Sequence, residues 1–104
     1  MAEFQIETQQ AGETALIHCR GDLVFGEAIA EFNKAIRAEV DRKATIIMLD
    51  FSGIGKVDST GIGALVANDQ IVAKHGGKMT LLDMPGRVKK SMSITGVDTV
   101  LAMA

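Results

Sequence analysis

The chain of 104 residues carries a net charge of −2, and 47% of its residues are hydrophobic. This size and balance fit one globular domain and exclude an intrinsically disordered chain. Its 11 Lys and Arg residues are scattered, and it has no Trp or Tyr on which bases could stack, so we expect no nucleic-acid partner. The sequence contains no run of 18 apolar residues, so we also expect no membrane span.

The N-terminal region and the cysteine content indicate the cellular compartment. The first ten residues contain no basic segment followed by an apolar one, so we expect no signal peptide. Cys19 is the only cysteine, which excludes an internal disulfide and is typical of a reducing environment. Together these features predict a cytoplasmic protein.

The first third of the chain predicts two strands and a helix. Residues 4–8 alternate between apolar and polar, which predicts a strand with one face in water. A turn at Gly12 and Glu13 leads to a second strand over residues 14–20, which Gly21 ends. A helix follows, because apolar residues then recur at helical spacing, namely Phe25, Ile29, Phe32 and Ile36.

The middle of the chain predicts a buried strand and a second helix. Residues 44–51 are continuously apolar at their centre, which predicts a strand buried on both faces. A short loop then leads to a helix from Ser59 to about Lys74, which Gly76 and Gly77 end. The predicted apolar face of this helix consists of Ile62, Leu65, Val66, Val72 and Ala73.

The C-terminal third predicts a fourth strand over residues 78–82 and a third helix. Asp83, as a cap, and Pro85, near the first position, open this helix, and Gly96 ends it. A short edge strand over residues 99–101 would follow. The order ββαβαβα(β) predicts a single α/β domain with a mixed sheet of four to five strands and helices packed over it.

The most informative segment is Val57-Asp58-Ser59-Thr60-Gly61-Ile62-Gly63, at the predicted start of the second helix. A hydroxyl here can cap backbone N–H groups, and the positive end of the helix also favours an added phosphate. Ser59 is therefore a helix cap, a phosphorylation site or both. Asp58 either satisfies N–H groups of the loop or positions Ser59, and Thr60 fits a structural first-turn residue.

Gly61 and Gly63 in the same segment call for a separate explanation. Two glycines in the first turn of a helix cost roughly 1 kcal/mol each relative to Ala. They are favourable if the backbone of a partner must come close to this turn, and a requirement of the turn geometry is the competing explanation.

Nearly the whole chain, residues 1–104, resembles a STAS domain, specifically the stand-alone anti-sigma factor antagonists of bacteria. The segments that carry the resemblance are Gly21-Asp22-Leu23, Leu49-Asp50-Phe51-Ser52, Asp58-Ser59-Thr60-Gly61-Ile62-Gly63, Gly76-Gly77-Lys78-Met79 and Pro85…Val88…Ile94-Thr95-Gly96-Val97. The segment after Val57 is fairly specific, and the shared order of all five makes chance an unsatisfactory explanation.

The resemblance implies a switch in transcription regulation that has no catalytic activity and needs no cofactor or metal. An anti-sigma factor with serine kinase activity would phosphorylate Ser59 at the expense of ATP. The unmodified protein would bind the anti-sigma factor and so release a sigma factor, and a PP2C-type phosphatase would reverse the modification. A weak homodimer is an additional expectation. The residues expected to bind the partner are Asp22, Leu23, Val24, Asp58, Ser59, Thr60, Gly61, Ile62 and Gly63.

Two residues depart from what this picture predicts. Many antagonists carry an acidic residue immediately after the Gly-Asp/Glu-Leu turn, whereas this chain has Val24 there. Asp69 falls at the centre of the predicted apolar face of the second helix, where an unpaired carboxylate would be costly. Either that face is shifted, or Asp69 reaches a basic group such as Lys74 or a residue of another protein.

Other functions are less well supported by the residues. A STAS scaffold, or an accessory subunit of a signalling or lipid-transport complex, would keep the fold and change the partner. Asp50 is predicted at the C-terminal end of the central strand, where open α/β sheets bind ligands, so a receiver-like protein phosphorylated there is an alternative. Such a protein would need an acidic pair after the first strand, and a small nucleotide-handling enzyme would need a phosphate-binding glycine loop. The sequence has neither, and His18 and His75 lack partners at the spacing of a metal site.

Overall fold

A computed structural model describes residues 3–97 and 100–104 of the chain. The described residues form five strands and three helices, which confirms the predicted order ββαβαβα(β). In chain order the elements are β1 (Gln5–Ala11), β2 (Thr14–Leu23), α1 (Glu27–Asp41), β3 (Ile46–Val57), α2 (Ser59–Lys74), β4 (Lys78–Leu82), α3 (Gly86–Ile94) and β5 (Ala102–Met103).

The strands form one mixed sheet in the order β1-β2-β3-β4-β5. β1 and β2 are antiparallel, and the remaining neighbours are parallel, as connections through helices require. Alternate residues of the strands are buried, and they share one hydrophobic core with residues of the helices. Its fully buried members include Ile17, Leu23, Phe32, Ile36, Leu49, Phe51, Leu65 and Leu81.

β3 differs from its prediction in both burial and length. Its burial alternates along the strand, and Ile46 is 50% exposed, so the prediction of a strand buried on both faces is wrong. No loop separates it from α2 within the described chain, since β3 continues to Val57 and pairs there with Leu23 of β2. A side chain at Gly53 would meet Cγ of Arg20 at 2.6 Å. Gly53 thus makes room for the neighbouring strand, although in the sequence it indicates a loop.

β2 likewise continues through Gly21 to Leu23 instead of ending at the glycine. Gly21 has a φ of 93°, and a side chain there would collide with the backbone of Glu3. A glycine is therefore needed at this position because the backbone of Glu3 approaches the strand closely, and not because the chain turns there.

The buried face of α2 is rotated relative to the prediction. Of the five residues predicted for it, Leu65 and Val72 are buried, whereas Ala73 is exposed and the other two are half-buried. The observed face is Gly61, Ala64, Leu65, Asn68 and Val72. Asn68, and not Asp69, occupies the central position between α1 and α2.

Asn68 is accommodated there by hydrogen bonds. Its side-chain amide donates to Oδ1 of Asn33 at 2.7 Å and to the carbonyl of Ala64 at 2.8 Å. Asp69 is half-buried, and burial raises the pKa of its carboxyl. Among the described residues it forms no salt bridge with Lys74. Because the buried face of α2 does not include Asp69, no unpaired carboxylate lies at its centre.

The C-terminal elements also begin and end differently from their predictions. Pro85 itself is the N-cap residue of α3, and no side chain among residues 3–97 and 100–104 caps this helix, so Asp83 is not its cap. The short fifth strand is Ala102–Met103 instead of residues 99–101, of which Thr99 lies outside the described residues. In the part of the chain that the structure describes, no helix is long and apolar enough to cross a membrane.

Candidate functional site

The start of α2 and the turn between β2 and α1 lie side by side at one end of the sheet. The parallel pairing of β2 and β3 ends with Leu23 opposite Val57, so the segments that follow leave the sheet together. The N–H group of Asp58 donates to the carbonyl of Leu23 at 3.4 Å. This contact holds the two segments together just before the predicted phosphorylation site.

Asp58 is the residue that joins these two segments. Its Oδ1 accepts a hydrogen bond from the N–H group of Gly61 at 2.8 Å, and its Oδ2 accepts one from the N–H group of Phe25 at 3.0 Å. The backbone N–H of Phe25, followed by that of Gly61, lowers the pKa of the Asp58 carboxyl, because hydrogen bonds stabilise its charged form. Asp58 is thus the N-cap of α2, and the interpretation of Ser59 as the cap is wrong.

Ser59 is the first residue of α2, and its side chain points to solvent. Within the described residues its hydroxyl makes no hydrogen bond, because Asp58 already performs the capping. Thr60, the second hydroxyl, is half-buried. Of the two, Ser59 is the more accessible to a modifying enzyme.

The two glycines of the motif have different surroundings. Gly61 is buried, and a side chain there would collide with the carbonyl of Leu23 and approach Cγ1 of Val57 to 2.8 Å. Gly63 is exposed, and no atom of the described part of the chain lies within 4 Å of the place where its side chain would be. A close approach by the protein's own backbone therefore explains Gly61. The hypothesis of partner docking applies only to Gly63.

The residues around the turn divide into a buried and an accessible set. Leu23 is fully buried and belongs to the core, whereas Val24 and Ile62 are half-buried. Phe25 is 81% exposed, although its spacing predicted a place on the buried face of α1. Gly26, the N-cap residue of α1 with a φ of 122°, separates Phe25 from that helix, and this glycine is the signal in the sequence that could have corrected the assignment.

Acidic residues line a cleft beside this exposed aromatic residue. A shallow cleft of about 330 Å³ lies beside Val24 and Phe25. Its lining includes four acidic residues, Glu3, Asp22, Glu27 and Glu31. Although Val24 replaces the acidic residue expected by resemblance, the surface around it is therefore negatively charged.

Asp50 lies elsewhere and has another role. It is within β3, not at the end of that strand, and its Oδ2 lies 2.7 Å from Nδ1 of His18. The N–H group of Ser52 donates to Oδ1 of Asp50 at 3.0 Å, and this bond, followed by the contact with His18, lowers the pKa of the carboxyl. The described residues contain no group of three or more side chains that could hold a metal ion. Nothing in this arrangement supports a receiver-like phosphorylation site.

A model of the STAS domain family matches residues 5–104. The chain therefore belongs to the STAS domain family. A comparison with curated protein sequences gives no significant match.

Several solved structures share this fold. Protein TM1081 of Thermotoga maritima superimposes with a TM-score of 0.83 at 19% identity, covering 94% of this chain and 84% of that one. The anti-sigma factor antagonist SpoIIAA in its unphosphorylated form gives 0.77 at 24% identity, with coverages of 98% and 88%. An anti-sigma factor antagonist from Mycobacterium paratuberculosis gives 0.80 at 17% identity, with coverages of 97% and 85%.

Proposed function

We propose that the protein is a cytoplasmic anti-sigma factor antagonist that is switched off by phosphorylation of Ser59. The observation that carries this proposal is the exposed hydroxyl of Ser59 on the first turn of α2, which makes no hydrogen bond to any residue that the structure describes. Ser59 lies directly after the N-cap residue Asp58 and takes no part in capping the helix. SpoIIAA, which shares the fold, has also been solved in a phosphorylated form, and this supports the same kind of switch here.

The partner we propose is an anti-sigma factor that is also a serine kinase. It would contact the accessible residues of the motif, Ser59, Thr60 and Gly63, together with Phe25 and the half-buried Val24. Asp22, Asp58 and Ile62 lie at the margin of this surface. Leu23 and Gly61 are buried and would contribute by shaping it.

A phosphate at this position can block binding without changing the fold. It adds about −1.5 to −2 charges and three acceptor oxygens. At the start of α2 it meets the positive end of the helix, so the isolated domain tolerates it. In a close-packed interface the same group must be desolvated and accommodated, which prevents docking. A PP2C-type phosphatase would restore the binding form, and no catalysis by this chain is required.

The direct test incubates the protein with ATP and the cognate anti-sigma kinase and locates the phosphate by peptide mass spectrometry. We expect one phosphate, on Ser59, and none in Ser59→Ala. Thr60→Ala is the matched control and should still be modified. Phosphate on Thr60, or an acid-labile phosphate on Asp50, would contradict the assignment of the site.

The binding half of the proposal is tested by calorimetry with the same anti-sigma factor. Ser59→Ala should bind as tightly as the unmodified protein, whereas Ser59→Asp should bind more weakly because it brings charge into the interface. Equal affinities of the two variants would show that charge at this position does not control docking. Absence of binding in every form would favour a STAS scaffold with another partner.

A further inference from the structure

β1 is a sheet edge that lacks the usual protection against pairing. Among the described strands it pairs only with β2, in a continuous register from Gln5 opposite Arg20 to Ala11 opposite Thr14. Its seven residues include no Pro and no Lys, the residues that commonly prevent edge strands from pairing. β5, at the other edge, has only two residues. Alternate residues of β1 therefore direct N–H and C=O groups outward over a length sufficient for another strand.

An apolar groove runs beside this edge, between β1 and α1. It has a volume of about 520 Å³, and Phe4 and Ile6 contribute to its lining on the strand side. Ala35 and Ala38 contribute on the helix side. Because these two side chains are small, a second helix can approach α1 closely here.

The charged residues on the helix side of the groove can pair with the same residues of a second copy of the chain. Glu31 and Lys34 lie about one turn apart on α1 and are both exposed. Within the described residues neither forms a salt bridge. A two-fold axis sets two copies of α1 antiparallel, so that Glu31 can meet Lys34 of the partner subunit and the contact occurs twice. This surface therefore suits a second copy of the same chain.

We infer that the protein forms a homodimer in which the β1 strands pair antiparallel across a two-fold axis at Ile6. An axis at Glu7 would set two carboxylates directly opposite each other, which is unfavourable. With the axis at Ile6, the pairing covers residues 3–9 of each copy, from the segment before β1 into the strand. Glu7 then lies opposite Gln5 of the partner subunit, and the two Ile6 side chains meet beside the grooves. The two sheets then join into one of ten strands. This inference does not depend on the proposed function.

Sedimentation velocity of the full chain at increasing concentration tests the dimer. The wild type should shift from monomer to dimer. Glu31→Lys and Lys34→Glu should each weaken dimerisation about tenfold or more, because each places like charges together twice. The double variant should regain the wild-type behaviour, since it restores both ion pairs with reversed polarity. Lys89→Glu, on the exposed part of α3, is the matched control and should change nothing.

Disulfide trapping tests the position of the axis. Ile6→Cys should give a covalent dimer on mild oxidation, because the two positions face each other across the axis at a distance that a disulfide can span. Gln9→Cys, on the same strand, would face Glu3 of the partner subunit and should not cross-link. The native Cys19 is buried and does not interfere.

Three results would overturn the inference. One is a wild type that remains monomeric at every concentration. Another is a double variant that is as dissociated as the single variants, because a surface with another role would not show this rescue. The third is equal cross-linking from Ile6→Cys and Gln9→Cys. Circular dichroism of each variant confirms that the fold is retained.

Discussion

The first turn of α2 has an inner and an outer side that differ in what they contact. On the inner side, the Asp58 carboxylate bonds the N–H groups of Phe25 and Gly61, and Gly61 lies against the carbonyl of Leu23. On the outer side, Ser59 and Gly63 face solvent. The comparison shows that consecutive residues of one motif serve two purposes. The inner residues join α2 to the end of β2, and the outer ones remain available to another molecule.

The difference between the inner and outer sides should have its largest effect on stability when a methyl group is added to a glycine on each side. Gly61→Ala should lower the free energy of unfolding by about 2–4 kcal/mol, because the methyl group collides with the backbone of Leu23. Gly63→Ala should leave it unchanged or raise it by up to about 1 kcal/mol, since Ala is the better helix former and the space is open. Urea denaturation of both variants measures the difference. Equal stabilities would show that the helix start can move away from β2.

A second pair of variants removes one polar side chain from each side of the turn. Asp58→Ala should destabilise the domain by about 1–2 kcal/mol, because it removes the N-cap and its bond to the β2–α1 turn. Ser59→Ala should change stability by less than about 0.5 kcal/mol, as expected for an exposed residue outside the cap. Thermal unfolding checks both values. A larger loss for Ser59→Ala than for Asp58→Ala would return the capping role to Ser59.

The pH dependence of stability distinguishes the same two residues. The folded-state pKa of Asp58 is lowered, so its contribution is fully present above its unfolded pKa of about 3.9 and is lost as the pH falls through the lower folded value. The stability difference between wild type and Asp58→Asn should therefore shrink as the pH is lowered from 6 to below about 3. The difference between wild type and Ser59→Ala should stay constant. A constant difference for Asp58→Asn would show that its charge is not stabilised in the fold.

The smallest expected effect on stability is at Phe25. Phe25→Ser should change the free energy of unfolding by less than about 0.5 kcal/mol, because 81% of this residue is already exposed. Under the proposed function, the same variant should bind the anti-sigma factor more weakly, since exposed aromatic side chains commonly anchor interfaces. Calorimetry with the partner measures this, and Val100→Ser, at another exposed apolar residue, is the control. Equal binding by both variants would remove Phe25 from the interface.

Features that depend on local pattern could be predicted from the sequence. The order of elements and the bounds of α2 and β4 follow from hydrophobic spacing and from Gly76 and Gly77. The proposal of a phosphorylation site at Ser59 also starts from a local signal, a hydroxyl directly before an apolar helical pattern, and it stays a prediction. Nothing beyond neighbouring residues is needed for these inferences.

Features that depend on contacts distant in sequence could not be predicted. From the sequence alone, Gly53 and Gly21 indicate loops. The structure shows that they lie within strands, against Arg20 and the backbone of Glu3 respectively. The reason for Gly61 lies at Leu23, far away in the chain. The apolar pattern predicted Asp69 at the centre of the buried face of α2, whereas Asn68 lies there. This difference of one residue is too small for an apolar pattern interrupted by glycines to resolve.

The reactivity of the single cysteine can be used to measure local unfolding of the sheet. Cys19 is buried in β2, and burial raises the pKa of its thiol to about 12. At neutral pH the folded protein therefore presents almost no thiolate, the form that reacts with alkylating reagents and oxidants. Reaction must await an opening that exposes the strand, so the alkylation rate of unmodified protein measures how often the central sheet opens. Oxidation of Cys19 should consequently be confined to molecules in which this strand has already opened.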